Sequence, residues 1–470
     1  MGASARAGRA KKVADAGSEK DFDWELHPDL ERFVLSQVER FLNSNSFAKQ
    51  LSDKMLLQTS TKFVDWIDYI SLSDSAVDLD KLKGLGLREW KCDAKPENSI
   101  VLRHPRSYLF PILISDSKDT EVAIKPESID DLSQAIGKSA QIQGAPFSEF
   151  RKAKLSSQRG TILSAVERRG YDGFVVRESE DVQEYLRALS LFFNRPRNFD
   201  EDSKGVEAAV DLVSDSVKRL DSARVSDAFF RAERPYWQRR NRAGQIQKLR
   251  QDSLGLGWGN HDHHTYRSSR ENFTRMIDVF ESMGYSCREK YYAGEKAGWG
   301  AQILEHSKCN IVVFTDVDLE ADETKIDFSH KGFKEKEIKL GTVGLWVGLH
   351  GESILQAGMH HLEARFDFER LSADLPKLGI NVMPPFSHFD FLKQAFTAGD
   401  VWKVEKSRLE KLLRGRYITK AQYEVFLRDG ALGSHMENLE RDQGFKGFNR
   451  SSVTKIILET DPRKQHFSGA

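Results

Sequence analysis

The chain has 470 residues, more than one small hydrophobic core usually organises, so several packed units are expected. Its 71 basic residues balance its 71 acidic ones, and no overall electrostatic field favours nucleic acid or a membrane surface. No apolar run approaches the ~20 residues that a membrane-spanning helix needs. We therefore expect a cytoplasmic protein with no nucleic-acid partner and no membrane partner.

The cysteines and the start of the chain support the same setting. Cys92, Cys287 and Cys309 are too few and too far apart for a disulfide scaffold or a cysteine zinc site. Residues 1–25 are mostly small and polar, and they lack the apolar segment of a secretory signal. They are expected to form a disordered tail.

Residues 26–125 combine two kinds of pattern. Apolar residues recur at helical spacing over 29–57, which predicts a pair of helices. The segment KFVDWIDYISLS then predicts a strand, residues 79–85 a short helix, and residues 87–91 and IVLRHPRSYLFPILIS further strands. The order strand, helix, strand, strand marks this region as a candidate degenerate module.

Residues 126–252 are expected to form a mostly helical subdomain. TILSAVERRG and DVQEYLRALSLFF have helical periodicity, and GFVVR between them resembles a single strand. The stretch FFRAERPYWQRRNRAGQIQKLR carries aromatic residues among arginines, which could indicate a nucleic-acid patch. In a neutral chain without a nucleic-acid fold signature, a solvated amphipathic helix is the favoured interpretation.

The next 160 residues contain a repeat. In residues 253–330, the strand GNHDHHTYRSS precedes a helix, ENFTRMIDVFESMG, which should end at Gly284, and three strands, YSCREKYYA, GWGAQILEH and CNIVVFTDV. Residues 331–412 repeat the plan with GMHHLEARFDF, the helix ERLSADLPKLG, and the strands INVMPP, FLKQAFTA and DVWKVEK. Residues 413–470 would close the site. The repeat predicts an α+β fold of β-α-β-β-β modules, with added helical segments.

Each repeat carries a histidine followed four residues later by an arginine. His263 precedes Arg267, and His361 precedes Arg365. Side chains alternate across a strand, so residues four apart project from one face. Each strand would therefore offer one metal ligand and one anion receptor on the same side. His261, His264 and His360 compete for the ligand position, and the shared His-to-Arg spacing selects His263 and His361.

A carboxylate from a last strand can complete the metal face. Glu405, in DVWKVEK, is the preferred candidate because Val401, Trp402 and Val404 surround it, and Glu410 and Glu437 are alternatives. Two imidazoles and one carboxylate leave open positions, as in non-haem Fe(II) oxygenases. The earlier module has Phe314 and Thr315 near the corresponding place, so no fourth ligand is expected there. The modules would then curve a sheet around a mononuclear site.

Four segments resemble the 2-oxoadipate dioxygenase/decarboxylase (hydroxyglutarate synthase) family, whose fold is related to the vicinal oxygen chelate enzymes. They are HHTYRSSRENFTRMIDVFESMGYSCREKYYA, GMHHLEARFDFERLSADLPKLGI, VWKVEKSRLEKLLRGRYITKAQYEVFL and GFKGFNRSSVTKII. The second segment departs from the family, with Leu362, Glu363 and Ala364 where a Thr-Pro pair is usual. Residues 1–250 match only vaguely.

The resemblance implies a reaction and roles. His263, His361 and Glu405 would bind Fe(2+), Arg267 would grip the substrate carboxylate, and the backbone near Ser451 would add a second anchor. A small 2-oxo acid and O2 would be the substrates, giving CO2 and a 2-hydroxy acid. Two alternatives remain open, namely a metal-dependent isomerase, lyase or ring-cleaving enzyme on the same scaffold, and a non-catalytic metal-binding or ligand-binding protein.

Overall fold

The computed structural model describes residues 24–334, 339–387, 389–450 and 460–465. The fold is α+β and contains four β-α-β-β-β modules. Modules 1 and 2 span residues 67–115 and 120–168, and modules 3 and 4 span residues 261–318 and 361–441. The repeat predicted for modules 3 and 4 and the degenerate copy predicted for module 1 are present. Most of module 2, from α4 to β8, lies within residues 126–252, which were expected to be mostly helical, and its first strand precedes them.

Modules 1 and 2 form one eight-stranded sheet in the order β2-β3-β4-β1-β5-β8-β7-β6. The elements of module 1 are β1 Ile67–Ser73, α3 Leu79–Gly84, β2 Arg88–Glu89, β3 Ile100–Arg103 and β4 Ile112–Ser115. Those of module 2 are β5 Thr120–Ile124, α4 Ile129–Ala135, β6 Ile142–Gln143, β7 Phe150–Gln158 and β8 Thr161–Arg168. TILSAVERRG is therefore a strand rather than the predicted helix, and GFVVR forms no strand.

Modules 3 and 4 form the second sheet in the order β10-β11-β12-β9-β13-β16-β14, and β15 also pairs with β16. Module 3 consists of β9 His261–Arg267, α9 Phe273–Ser282, β10 Ser286–Tyr292, β11 Trp299–His306 and β12 Ile311–Asp318. Gly284, with φ +91°, follows α9 as predicted. Module 4 consists of β13 His361–Arg365, α12 Phe368–Lys377, β14 Leu392–Phe396, β15 Asp400–Trp402 and β16 Ala431–Arg441.

The last strand of module 4 differs from the sequence prediction. DVWKVEK was expected to be that strand, but β15 ends at Trp402 and two helices follow it, α13 Lys406–Arg414 and α14 Lys420–Asp429. Only then does the chain return to the sheet as β16, which runs parallel to β13. The segment INVMPP contributes a single bridge, from Val382 to Thr397.

The remaining helices pack around the sheets. They are α1 Pro28–Ser44, α2 Ser46–Lys54, α5 Val182–Asn194, α6 Asp202–Val217, α7 Ser222–Gln238, α8 Arg242–Asp252, α10 Phe328–Lys331, α11 Thr342–His350 and α15 Pro462–Gln465. Side chains of α5, α6, α7 and α9 form a core against one face of the second sheet, where they meet Tyr266, Leu362 and Met436. None of the described helices is long and apolar enough to cross a membrane.

Candidate metal centre

The two predicted histidines lie side by side in the middle of the second sheet. Strands β9 and β13 run antiparallel, with His263 opposite Glu363 and Thr265 opposite His361. Tyr266 and Leu362, on the other face of the same strands, are buried against the helices. Strand alternation therefore directs both imidazoles away from the helical core and towards a shared cavity.

Two carboxylates complete a cluster with the histidines. Glu363 Oε1 lies 2.8 Å from His263 Nε2 and 2.5 Å from His361 Nε2. Glu437 is the register partner of Glu363 on β16. One ligand atom from each of the four residues lies within 4.8 Å of the others, and all four residues are buried.

Neighbouring groups orient the ligands. His263 Nδ1 is 3.0 Å from Asp262 Oδ1, and Arg441 Nη2 donates to the same carboxylate oxygen at 3.0 Å. Gln394 Nε2 donates to Glu437 Oε1 at 2.8 Å. A carboxylate on Nδ1 fixes the tautomer of an imidazole and directs Nε2 towards the metal, an arrangement common among metal-binding histidines.

The electrostatics of the cluster suit a cation. Burial and the neighbouring charge of Glu437 raise the pKa of Glu363 well above its usual range, and burial also raises the pKa of Glu437. Burial lowers the pKa of His361 well below its usual range, which favours the neutral imidazole that binds metals. Glu363 Oε1 contacts only the two imidazole nitrogens, and Glu363 Oε2 is buried without a hydrogen-bond partner among the described residues. A divalent cation would satisfy these oxygens and offset the repulsion between the carboxylates, so the four residues fit a metal ion.

The cavity beside the cluster is largely apolar. Its lining includes Trp299, Phe314, Phe396 and Phe448 together with the four candidate ligands. Because β12 pairs with β9 as β16 pairs with β13, Phe314 occupies in module 3 the place that Glu437 occupies in module 4. Phe314 offers no ligand atom, and aromatic rings close the side of the cavity around it.

Arg267 does not itself line this cavity, but it lies behind Asp316, which does, and its side chain is 1% exposed. Its Nε atom lies 3.6 Å from Asp316 Oδ2, and its guanidinium is 5.4 Å from the centre of the Trp346 ring. Among the described residues, its Nε and Nη2 atoms have no hydrogen-bond partner at short distance, and Asp316 is the acid that acts most on its charge. Burial lowers the pKa of Arg267 to about 10 and raises that of Asp316 to about 7. Arg267 therefore retains unused donors beside the cluster.

The other predicted site residues lie elsewhere. Glu405 is exposed and forms the N-cap of α13, so it is not among the clustered ligands. Its place is taken by Glu437, because the last strand begins after the α13 and α14 insertion. Arg365 Nη2 donates to the Asp65 backbone oxygen at 3.2 Å, and the side chain does not line the metal cavity. Ser451 lies outside the described residues.

Glu363 was missed as a candidate ligand, although its position two residues after His361 gave a signal. Residues two apart on a strand share a face. Glu437 was an alternative that the sequence did not select. It lies in ALGSHMENLER, where nearly every residue is buried on both faces of the sheet, so no simple alternation marks the inward positions.

Neither a family model nor a curated protein matches the sequence. Solved structures with low similarity include a variant of 4-hydroxymandelate synthase from Streptomyces coelicolor, at 12% identity and TM-score 0.28, covering 85% of this chain and 98% of that one. A xylose isomerase-like TIM barrel/4-hydroxyphenylpyruvate dioxygenase fusion protein gives 11% identity, TM-score 0.24, and coverages of 87% and 53%. Methylmalonyl-CoA epimerase from Mycobacterium tuberculosis gives 10%, 0.22, and coverages of 39% and 89%.

Proposed function

We propose that the protein is an Fe(II)-dependent dioxygenase that oxidatively decarboxylates and hydroxylates a small 2-oxo acid. A substrate like 2-oxoadipate would give a 2-hydroxy acid such as 2-hydroxyglutarate. The observation that carries the proposal is the convergence of His263, His361 and Glu437, together with Glu363, in the wall of a largely apolar cavity. Two imidazoles and a carboxylate on one side of an ion are the ligand set of non-haem iron oxygenases.

When bound, Fe(II) would supply O2 activation and a chelation point for the 2-oxo acid. The chain supplies orientation and exclusion of water. Asp262 holds His263, and Gln394 holds Glu437, so these two ligands keep their direction before a metal binds. Trp299, Phe396 and Phe448 present apolar surface to the substrate and keep the cavity dry.

Arg267 is the candidate receptor for the distal carboxylate of the substrate. Its unused Nε and Nη2 atoms and its burial would make a charge-assisted hydrogen bond strong. Asp316, whose pKa burial raises to about 7, can take up a proton when a substrate carboxylate competes for the guanidinium. Substrates with a second carboxylate should therefore be preferred over simple 2-oxo acids.

Oxygen consumption tests the proposal. Anaerobically purified protein loaded with Fe(II) should consume O2 and release CO2 in equal amounts with 2-oxoadipate, and the His361→Ala and Glu437→Gln variants should not. Glu405→Gln, which changes an exposed carboxylate, should retain full activity. If the iron-loaded protein consumes no O2 with 2-oxoadipate or with shorter 2-oxo acids, the dioxygenase proposal is wrong.

Glu363 supports a second candidate function, a metal-dependent isomerase or lyase. Its Oε1 atom lies close to both histidine Nε2 atoms, so it offers either a fourth ligand or a base beside the substrate. An isomerase or lyase would convert its substrate without O2. Turnover measured under nitrogen, with Zn²⁺ or Mn²⁺ in place of iron, separates the two functions.

The cysteines support a cytoplasmic setting for either function. Cys92, Cys287 and Cys309 are all unpaired in the described structure. A reducing compartment keeps thiols in that state and also favours iron in its divalent form.

A further inference from the structure

A second cavity lies at the seam between the two sheets. Residues of modules 1 and 2 form one wall, and residues of α7, β9, β12 and β13 form the other. It has a volume of about 140 Å³ and contains none of the four clustered metal-ligand candidates. An apolar cavity of roughly 150 Å³ holds a molecule the size of benzene, so this one suits a ligand of similar size.

Two cations in the wall of this cavity form no ion pair with any residue that the structure describes. Arg234 is 6% exposed, and its Nε and Nη1 atoms lack a hydrogen-bond partner. Within the described part of the chain, Lys125 Nζ takes part in no side-chain hydrogen bond or ion pair, although Lys125 lines the same space. Leaving charges of this kind uncompensated in a protein interior is costly.

Most other cationic side chains in the wall already form ion pairs with carboxylates. Arg168 pairs with Asp68 at 2.8 Å, Arg231 with Asp227 at 2.9 Å, and the cavity residue Lys308 with Asp93 at 2.8 Å.

The acids around the two cations attract them without forming an ion pair. Glu127 acts on Arg234, but it accepts a hydrogen bond from the Trp258 backbone nitrogen at 3.1 Å, lies 3.7 Å from Lys248, and forms no ion pair with Arg234 among the described residues. Asp68 acts on Lys125 but is paired with Arg168. Burial raises the pKa of the Asp65 carboxyl, which reduces the negative charge it contributes. The wall therefore has an unmatched positive charge at Lys125 and Arg234.

We propose that this inter-sheet cavity binds a small oxyanion, a carboxylate or a phosphate, between Lys125 and Arg234. His261, whose Nδ1 atom has no hydrogen-bond partner, offers a further polar contact. Trp66 and Trp258 supply flat apolar surface for the rest of the ligand. The site is separate from the proposed metal centre and does not depend on the reaction proposed there.

A groove beside the inter-sheet cavity is lined by His261 and Arg365, which also line that cavity, and by His263 and Phe314, which also line the metal cavity. The two cavities are therefore separated by few residues. Occupancy of the inter-sheet site can be measured without metal.

Calorimetric titration of the full-length, metal-stripped protein tests the proposal, with inorganic phosphate and glutarate as separate probes. At least one probe should bind saturably, and the probe that binds shows whether the site takes a phosphate or a carboxylate. Lys125→Met and Arg234→Met should each weaken binding by about tenfold or more, since each removes a charge-assisted contact. Lys308→Met, which removes a cavity cation already paired with Asp93, should change affinity less than about threefold.

Two further variants control for misfolding and for binding at the metal cavity. Lys125→Arg keeps the charge and should retain most of the affinity, so a loss confined to Lys125→Met does not come from misfolding. Arg267→Met should leave phosphate binding at the inter-sheet site unchanged, because Arg267 does not line this cavity, and it removes any glutarate bound beside the metal site. The proposal is overturned if neither anion binds the wild type, or if Arg267→Met abolishes binding while Lys125→Met and Arg234→Met do not.

Discussion

Glu363 and Glu437 are register partners on the parallel strands β13 and β16, so two buried carboxylates face each other beside a pair of histidines. Like charges in this position repel, and burial increases the cost. The arrangement is stable if a cation lies between the carboxylates or if one of them holds a proton. The metal-bound and metal-free states of the protein should therefore differ in stability and in their response to substitution.

Glu437, not Glu405, should control metal affinity. Glu437→Gln should weaken Fe(II) or Zn²⁺ binding by about 100-fold. Loss of a residue that only orients a metal ligand weakens binding by about 10-fold to 100-fold, and loss of a ligand should weaken it at least as much. Glu405→Gln should bind like the wild type, because Glu405 is exposed at the start of α13. Anaerobic titration with a competing chelator measures both affinities. Equal affinities for the wild type and Glu437→Gln would remove Glu437 from the ligand set.

The sequence could predict that His263 and His361 converge because their signal is local. The four-residue spacing to Arg267 and Arg365 depends only on strand alternation, and it selected one imidazole from each cluster. Predicting which carboxylate joins the histidines requires the chain topology as well. Two helices between β15 and β16 separate Glu437 from the strands that precede it, and nothing in DVWKVEK shows that its last-strand position is taken by a later segment.

The elements of the fold also divide into those with a clear local sequence pattern, which were predicted, and those without one, which were not. Module 3 was predicted element by element because its helix has a clear apolar face and glycines separate its strands. Strand β8 was mistaken for a helix because Ile162, Leu163, Ala165 and Val166 fit helical spacing as well as a strand. Nearly all of β8 is buried, so both of its faces are apolar and the period of two is lost.

Replacing Glu363 with Gln should stabilise the metal-free protein. The pKa of Glu363 is raised well above its unfolded value, so folding makes it harder to ionise, and stability is lost as pH rises above about 4.5. At pH 7 the variant should unfold with a higher free energy than the wild type in EDTA. Saturating Zn²⁺ should reduce or reverse the difference. Urea unfolding with and without metal measures it, and a less stable variant in EDTA would contradict the argument.

Arg267→Met should separate substrate binding from metal binding. Loss of a charge-assisted hydrogen bond to a carboxylate should raise KM for 2-oxoadipate by about 10-fold to 100-fold. Iron content should be unchanged, because Arg267 is not a member of the ligand cluster. Arg267→Lys should recover only part of the loss, since an ammonium cannot reproduce the planar guanidinium. An unchanged KM in Arg267→Met would assign Arg267 to a structural pairing with Asp316.

His350 lies outside the metal cluster and is a buried base that folding keeps neutral. Its Nε2–H donates to the Leu432 backbone oxygen at 2.9 Å, and its ring packs against Trp346 and Trp402. Burial lowers the pKa of His350 to about 3, whereas the unfolded chain should titrate near 6.5. The unfolded state therefore binds a proton first as the pH falls.

The consequence is a defined acid sensitivity. Above pH 6.5 the titration of His350 does not change the free energy of unfolding. Below pH 6.5 that free energy should fall by up to about 1.4 kcal/mol per pH unit, until the pH reaches the pKa of His350 in the folded protein. His350→Gln keeps an N–H donor for Leu432 but cannot titrate. Between pH 7 and pH 5 the wild type should therefore lose about 2 kcal/mol more than this variant in urea unfolding. The other histidines are common to both proteins, so parallel losses would show that His350 does not titrate as its burial implies.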